Sequence, residues 1–470
     1  MSRLCALAAA SALVLLAGCK AVGPDYHLPE NAVIQRPAAN GAFQSAPPAL
    51  TTTDPLPPRW WHLYDDPVLD TLEEQALAAN TDLRVASANL ARARAVTAAA
   101  EGAREPDFAI SAGAQHARLS GEQYLQPEQL PVADIGDVGA QMSYQIDLFG
   151  KIRRSVEAAR ADEASVAATR DAVQVTVAAD VARAYVGVCA AHAAEDFANR
   201  AITLQGNLVS INRRLVSAGR SAAPDVTAAE ARLAQAQALL PSYRAAARAS
   251  LYRLAALTGK VPADYPREAE ACRAVPQLKS ALPVGDGAAL LKRRPDIRAA
   301  ERELAGATAR IGVATADLYP SIGIGLSGGS TGFLKDLGLP AANRWSIGGL
   351  LRWTIPNAGS RARVRGADAA ADAALARFDG TVLGALRETE TALAAYAEEH
   401  DRHLALEDAL KAARTIADQN RRLREAGRAA VVVDLGGQQG VIGAEAAVLN
   451  SQHEIANDQI TLFLALGGGW

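Results

Sequence analysis

Few residues in this chain are spaced so that they could do chemistry. Gly323-Ile-Gly325-Leu-Ser-Gly328 matches the glycine fingerprint that cradles a dinucleotide pyrophosphate. That fingerprint works only between a buried strand and the first turn of a helix, with an acidic residue about 20 positions further on. Here it lies in a run of alternating apolar and small residues and leads into Gly329, Ser330, Thr331 and Gly332. A strand is expected there, not a nucleotide site. His400 and His403, beside Glu399, have the one-turn spacing of a helical metal site. No third ligand is evident and the neighbours are charged, so a solvated helix face is expected and no metal or other cofactor. There is no nucleophile elbow, no Cys-x-x-Cys and no acid pair distinguishable from surface charge. The chain does not read as an enzyme.

The cysteines carry a different chemistry. Arg3 precedes an apolar stretch over residues 4–16, and Leu16-Ala17-Gly18-Cys19 follows it. The stretch is too short for a permanent membrane span and reads as an export signal over residues 1–18. A cysteine directly after Leu-Ala-Gly resembles the bacterial lipoprotein box, in which Cys19 receives N-acyl and S-diacylglycerol lipid and becomes the mature N-terminus. Lys20, rather than an aspartate, follows it, which by lipoprotein sorting implies the outer membrane. Cys189 and Cys272 remain; an oxidising compartment would allow one disulfide between them, spacing alone does not decide it, and two free thiols are expected.

Removal of residues 1–18 takes away Arg3 and leaves 47 basic against 51 acidic side chains. No basic stripe suggests nucleic acid. Beyond the signal no apolar run is expected to reach the roughly 18 residues of a transmembrane helix. Contact with a membrane must then come through lipid or through strands.

Proline positions map the elements. Residues 19–66 hold eight of the 22 prolines and read as an irregular arm, whereas none occurs between Pro131 and Pro224 or after Pro356. These proline-free stretches are rich in strong helix formers. Segments 150–218 and 360–426 would each run about 100 Å as continuous helices. The halves also repeat: Asp82-Leu-Arg and Asp296-Ile-Arg each precede a proline, Pro106 and Pro320, by 24 residues. Gly150 and Gly359 open the long helices, and Gly219 and Gly427 close them in the left-handed cap that glycine adopts cheaply. Asp225 and Asp434 open the return helices, where a carboxylate favours the helix dipole. The domains expected are the arm 19–66, a first repeat 67–258, a connection 259–294 and a second repeat 295–470. Pro241 predicts a kink in the first return helix. Gly436, Gly437 and Gly440 predict a late or loose start to the second, since each costs up to about 1 kcal/mol.

Four segments alternate with period two. In 136–149, Val138, Ala140, Met142, Tyr144, Ile146 and Leu148 share a face opposite Gly139, Gln141, Ser143, Gln145 and Asp147. Segment 106–118 aligns Phe108, Ile110 and Ala112; segment 321–328 aligns Ile322, Ile324 and Leu326. Segment 344–356 aligns Trp345, Ile347, Leu351, Trp353 and Ile355, with the tryptophans placed like the two interfacial aromatic girdles of a barrel. Four strands cannot close a barrel, and open edges are not tolerated in hydrocarbon. Two copies give eight strands and a filled interior, three give twelve and a lumen.

Cys19-Lys-Ala-Val-Gly-Pro-Asp-Tyr26, Trp60-Trp61, Asp147-Leu-Phe-Gly150, Arg294-Pro-Asp-Ile-Arg298 and Leu466-Gly-Gly-Gly-Trp470 resemble the outer membrane factors of the TolC/OprM family, in its NodT lipoprotein branch. The resemblance covers essentially the whole chain. It implies a mainly α fold with a transmembrane β portion: a homotrimer whose twelve-stranded barrel takes four strands per protomer, above a tunnel of twelve helices. It implies the exit duct of a tripartite efflux system for small toxic compounds in a Gram-negative outer membrane. A periplasmic adaptor and an inner-membrane pump of the RND type would be its partners. The outer component of a type I protein-secretion or metal-export system, and a non-conducting envelope scaffold, are the alternatives. The resemblance places Gly219, Asp225, Gly427 and Asp434 at periplasmic tips where the adaptor docks and the duct closes. Three copies of Asp434 would form an acidic ring.

Overall fold

The computed structural model describes residues 21–122 and 125–468. Cys19, the site of expected acylation, and the terminal Trp470 lie outside the described residues. In chain order the principal elements are β1 (Thr51–Thr52), α1 (Pro67–Ala79), α2 (Thr81–Gly102), β2 (Asp107–Ala117), β3 (Ala133–Ile146), α3 (Lys151–Ser217) and α4 (Ala223–Leu257). There follow β4 (Leu282–Pro283), α5 (Gly287–Arg293), α6 (Pro295–Ala316), β5 (Ser321–Phe333), β6 (Asn343–Arg352), α7 (Ala358–Glu425) and α8 (Val431–Ala465). The repeat is exact in several lengths: α2 and α6 have 22 residues each, α4 and α8 35 each, and the long helices 67 and 68.

The chain divides into two compact units, each drawing matching parts from both repeats. The first comprises the chain up to Pro29 with Leu90–Val166 and Ala300–Phe378. It holds a four-stranded antiparallel sheet in the order β2-β3-β5-β6. The Gly323–Gly328 motif lies inside β5 and no helix follows it directly. Where β3 gives way to α3, the Asp147 carboxylate accepts the backbone N–H groups of Ile152 (2.9 Å) and Arg153 (2.8 Å). Gly150 turns the chain there with φ +77°. A carboxylate satisfying the orphan donors of a first turn is what the Asp-Leu-Phe-Gly motif supplies.

The second unit comprises Glu30–Asn89, Ala167–Ala299 and the chain from Asp379 onward. Its core surrounds the two buried tryptophans: Trp60 stacks on Phe463 at 4.4 Å and meets Trp61 edge-on at 5.9 Å. Arg294 is buried between Asp296 (2.7 Å), Glu388 (2.9 Å) and the Ala465 carbonyl (2.7 Å). A Cβ on Gly467, which has φ +81°, would fall 2.8 Å from the Arg294 side chain. The Arg-Pro-Asp motif and the C-terminal glycines thus form one contact. β1 pairs in parallel with β4, tying the irregular arm to the connection. Contrary to expectation, an apolar window of α3 is long enough to cross a membrane, but 61 % of it is buried, and Val177, Val181, Tyr185, Val188 and Cys189 are among the residues of α3 in this core.

The expectation of two free thiols is overturned. Cys189 and Cys272 form a disulfide with an S–S distance of 2.07 Å across 83 residues of sequence. The connection brings Cys272 back against α3, where His192 Nδ1 lies 3.0 Å from the Cys272 carbonyl. Arg273 in turn donates to the Glu270 carbonyl at 2.5 Å. Nothing in the spacing of two cysteines announces such a return. The looseness predicted for the second return helix is also absent, since α8 begins at Val431 and runs unbroken. Pro241 sits inside α4 without ending it.

Glu73 on α1 is fully buried, and neither carboxylate oxygen has a hydrogen-bond partner among the described residues. Burial, followed by the nearby charge of Asp70, pushes its pKa well above the carboxylate range, which favours the neutral acid. Because the folded value is raised, the stability Glu73 contributes is present below the unfolded pKa and lost as pH rises through the folded one. Glu73→Gln is expected to flatten this dependence. Melting temperatures of both proteins at pH 5 and pH 8 check it, the wild type falling more between the two.

Candidate functional site

Two places in the chain are built for more than packing. One is the sheet of the first unit. Its hydrogen-bonded register aligns Phe108 with Met142, Leu326 and Ile347, and Ile110 with Ala140, Gly328 and Trp345. Tyr144 aligns with Ile324, and Ile146 with Ile322 and Leu351. Strict two-residue periodicity then puts all of these on one face, a continuous apolar band across four strands. The band is open: Trp345 is 79 % and Ile347 69 % exposed. Trp353, just past β6, fixes its indole by donating to the Leu318 carbonyl at 3.1 Å.

The opposite face carries Ser111, Gln141, Ser143, Ser327, Ser346 and many glycines, in the same register. On it Arg344 reaches across two strands to Asp137 (2.8 Å) and Thr331 (2.7 Å). Gly139 leaves room for the guanidinium, since a Cβ there would sit 3.1 Å from it. Large apolar area facing out and polar area behind is the reverse of a soluble sheet and the pattern of a barrel wall in lipid. Among the described residues the outer edges of β2 and β6 have no strand partner. An arginine at the centre of the apolar band costs about 2–4 kcal/mol in a bilayer, and one on the polar face far less. Ile347→Arg is therefore expected to abolish insertion into lipid vesicles, while Ser143→Arg inserts normally.

The second place is the pair of turns that close the long helices. Gly219 and Gly427 both have φ +68° and close α3 and α7 with the same pair of bonds. The Gly219 N–H reaches the Val216 carbonyl and the Arg220 N–H that of Leu215; Gly427 and Arg428 repeat this onto Arg424 and Leu423. Only residues without a Cβ penalty hold that conformation routinely. The return helices each begin four residues on, but the two aspartates are not equivalent. Asp225 is the third residue of α4 and Asp434 the fourth of α8. One residue turns a side chain by about 100° around a helix.

The consequences differ accordingly. Asp225 stays exposed and bends back to accept from the Ser221 hydroxyl and, at 3.1 Å, the Ala222 N–H. Those two bonds, the hydroxyl foremost, hold its carboxyl below the usual range. Asp434 instead faces α7 and is 0 % exposed. It meets Arg424 at 3.2 Å and accepts from Gln438 at 3.2 Å. The acidic ring expected of Asp434 is thus corrected: the carboxylate is spent inside its own hairpin.

Close packing also explains why the glycines of α8 do no harm. A Cβ on Gly437 would lie 3.0 Å from the Ala417 Cα, so glycine lets the two helices approach. Asn420 spans the gap to the Val433 carbonyl at 3.1 Å. Gly436 and Gly440 face open space. Arg424 and Gly437 escaped the sequence reading, although a basic residue ten positions before a buried acid, across a tight turn, is a legible signal. Glu399 accepts from Arg402 and Ser451 at 2.7 and 2.6 Å, and His403 lies 3.4 Å from Glu407.

Known proteins share this architecture. The family model described as outer membrane efflux protein matches residues 72–260 and 288–468. The chain is 30 % identical over 469 residues to the toluene efflux pump outer membrane protein TtgI of Pseudomonas putida, covering 98 % of this chain and 97 % of that one. It is 28 % identical over 465 residues to nodulation protein T of Rhizobium leguminosarum bv. trifolii, covering 97 % and 96 %. Among solved structures, the outer-membrane channel OprN superposes with a TM-score of 0.87 at 34 % identity, over 96 % of this chain and 99 % of that one. The Campylobacter jejuni CmeC outer membrane channel shares the fold, with a TM-score of 0.85 at 21 % identity over 96 % and 95 %. An open amphipathic sheet and duplicated long helices over the full length of these relatives lead to one conclusion: the chain belongs to the outer membrane efflux protein family.

Proposed function

We propose that three copies of this chain form the exit duct of a tripartite efflux system, carrying small apolar toxicants from an RND-type pump and periplasmic adaptor to the cell exterior. The observation that carries this reading is the sheet, apolar on one face and polar on the other, with two edges that only further copies can satisfy. In lipid each unpaired edge group costs several kcal/mol, so closure is obligatory. Twelve strands from three protomers leave an open lumen lined by the polar face. Acylation at Cys19 tethers the arm to the outer membrane. The turns at Gly219, Asp225, Gly427 and Asp434 form the periplasmic tips that meet the adaptor. The duct selects by passage rather than by a pocket, and does no covalent chemistry.

Deleting the gene is the test. Expected is sensitisation to toluene and similar apolar toxicants, restored by the wild-type chain and not by Ile347→Arg. Unchanged tolerance to every such compound, with an RND-type pump and adaptor expressed, would contradict the reading.

A further inference from the structure

Residues 21–26 are held on the first unit by contacts that each need a particular residue. A Cβ on Gly150 would fall 2.4 Å from the Ala21 Cβ, and one on Gly23 (φ +87°) 2.4 Å from the Gly312 Cα. A Cβ on Gly312 would in turn lie 2.7 Å from the Arg154 side chain. Three glycines therefore allow the backbone of the arm to lie directly on α6 and on the start of α3. The Val22 N–H donates to the Phe149 carbonyl at 3.1 Å.

Arg154 closes the arrangement. It is 3 % exposed, and its guanidinium donates to the Val22 carbonyl (3.2 Å), the Gly23 carbonyl (3.2 Å), Asp25 (2.6 Å) and Glu157 (2.7 Å). Further along, the Tyr26 hydroxyl donates to Glu301 at 3.3 Å. A planar fork of donors can hold two carbonyls and two carboxylates at once, which a lysine ammonium cannot. Burying an arginine this deeply is costly unless every donor is used. In the mature chain proposed above, a strap of six residues beside the acylated Cys19 gains little core by such an arrangement, so its value lies in where it puts that anchor.

That place is the junction of strand and helix. Ile146 ends β3, Phe149 stacks on Tyr319 at 4.6 Å, and Trp353 lies just beyond β6. Aromatic rings at the rim of an apolar band mark the membrane–water interface. Position 19 is two chain steps from Ala21, with Lys20 between them, and two steps span at most about 7 Å. If the strap were free through Tyr26, the same tether would reach about 25 Å.

We infer that Arg154 is the positioning residue of the lipid anchor. It clamps the strap so that acyl chains on Cys19 enter the leaflet at the level where strands give way to helices, in register with the barrel. This rests on the acylation of Cys19 proposed above.

Trypsin cleavage after Lys20 tests it, because a protease must unfold several residues around the bond it cuts. The full-length chain is purified in detergent as wild type, Gly23→Ala and Arg154→Ala, and release of the N-terminal lipopeptide is followed by mass spectrometry. Wild type should keep its lipopeptide. Both variants should lose theirs about tenfold faster or more, as expected for local undocking. Gly23→Ala alters only the strap, so the melting temperature of its oligomer should not move. Equal release from all three chains would overturn the inference, as would a Gly23→Ala oligomer that melts earlier, since the strap would then be mere packing. An unmodified Cys19 would overturn the anchoring role together with the acylation reading, and unequal release would then show docking alone.

Discussion

A chain with serine at both Cys189 and Cys272 is expected to lose about 4 kcal/mol of stability, because the bridge closes 83 residues of chain that the unfolded state would otherwise explore. The chain-entropy estimate for a loop of this size is about 4.5 kcal/mol, and native contacts at the same place reduce the realised effect. Here those contacts are the buried Ala269, the pairing of β1 with β4, the His192 ring against the Cys272 carbonyl, and Arg273 facing Asp196 of α3. They keep the connection near α3 in the folded state, but they do nothing to restrict the unfolded one. The loss should therefore persist. Denaturation of the purified chain with and without dithiothreitol checks this: reduction should bring the wild type to the midpoint of the double serine variant and leave that variant unmoved. A wild type indifferent to reductant would contradict the assignment.

Arg424→Met should cost the second tip about 3 kcal/mol. Asp434 is fully buried and would be left as an uncompensated charge, the situation in which breaking a buried pair costs 3–5 kcal/mol. The lower end applies because the Arg424 side chain is 36 % exposed and part of its attraction is screened. Among the described residues Gln438 is the other donor to Asp434, and a neutral amide cannot neutralise the charge. The damage should stay local, appearing as faster amide exchange over Leu423–Gln438 with the sheet unaffected. Adding Asp434→Leu to Arg424→Met should return most of the loss, since the pair is then replaced rather than broken. If the double variant is as loose as the single one, the pair is not what holds the hairpin.

Much of this architecture was legible in the sequence because it rests on local rules. Proline-free, alanine-rich stretches gave the long helices to within a residue or two at most ends. The 214-residue offset between Asp82 and Asp296 reappears as the offset between α2 and α6. The two faces of each strand could be read from period-two alternation, and the register shows that all four align. What stayed hidden depends on distant residues meeting. The disulfide requires the connection to fold back on α3, which no spacing encodes. Asp434 was equated with Asp225 by similarity of the turns, and a single extra residue turned it to the opposite role. Gly437 looked like a weakness by propensity alone and is a contact surface once Ala417 is beside it. The Arg154 clamp joins residues more than 120 positions apart, so the Gly-Pro-Asp-Tyr motif was recognised as a pattern without its mechanical reason.

Conductance of the purified full-length chain in a planar bilayer tests the central claim most directly. An oligomer that resists heat in detergent, the expected trimer, should insert and give discrete current steps, and Ile347→Arg should give none. Protein that stays monomeric and carries no current in the same bilayers would contradict the account.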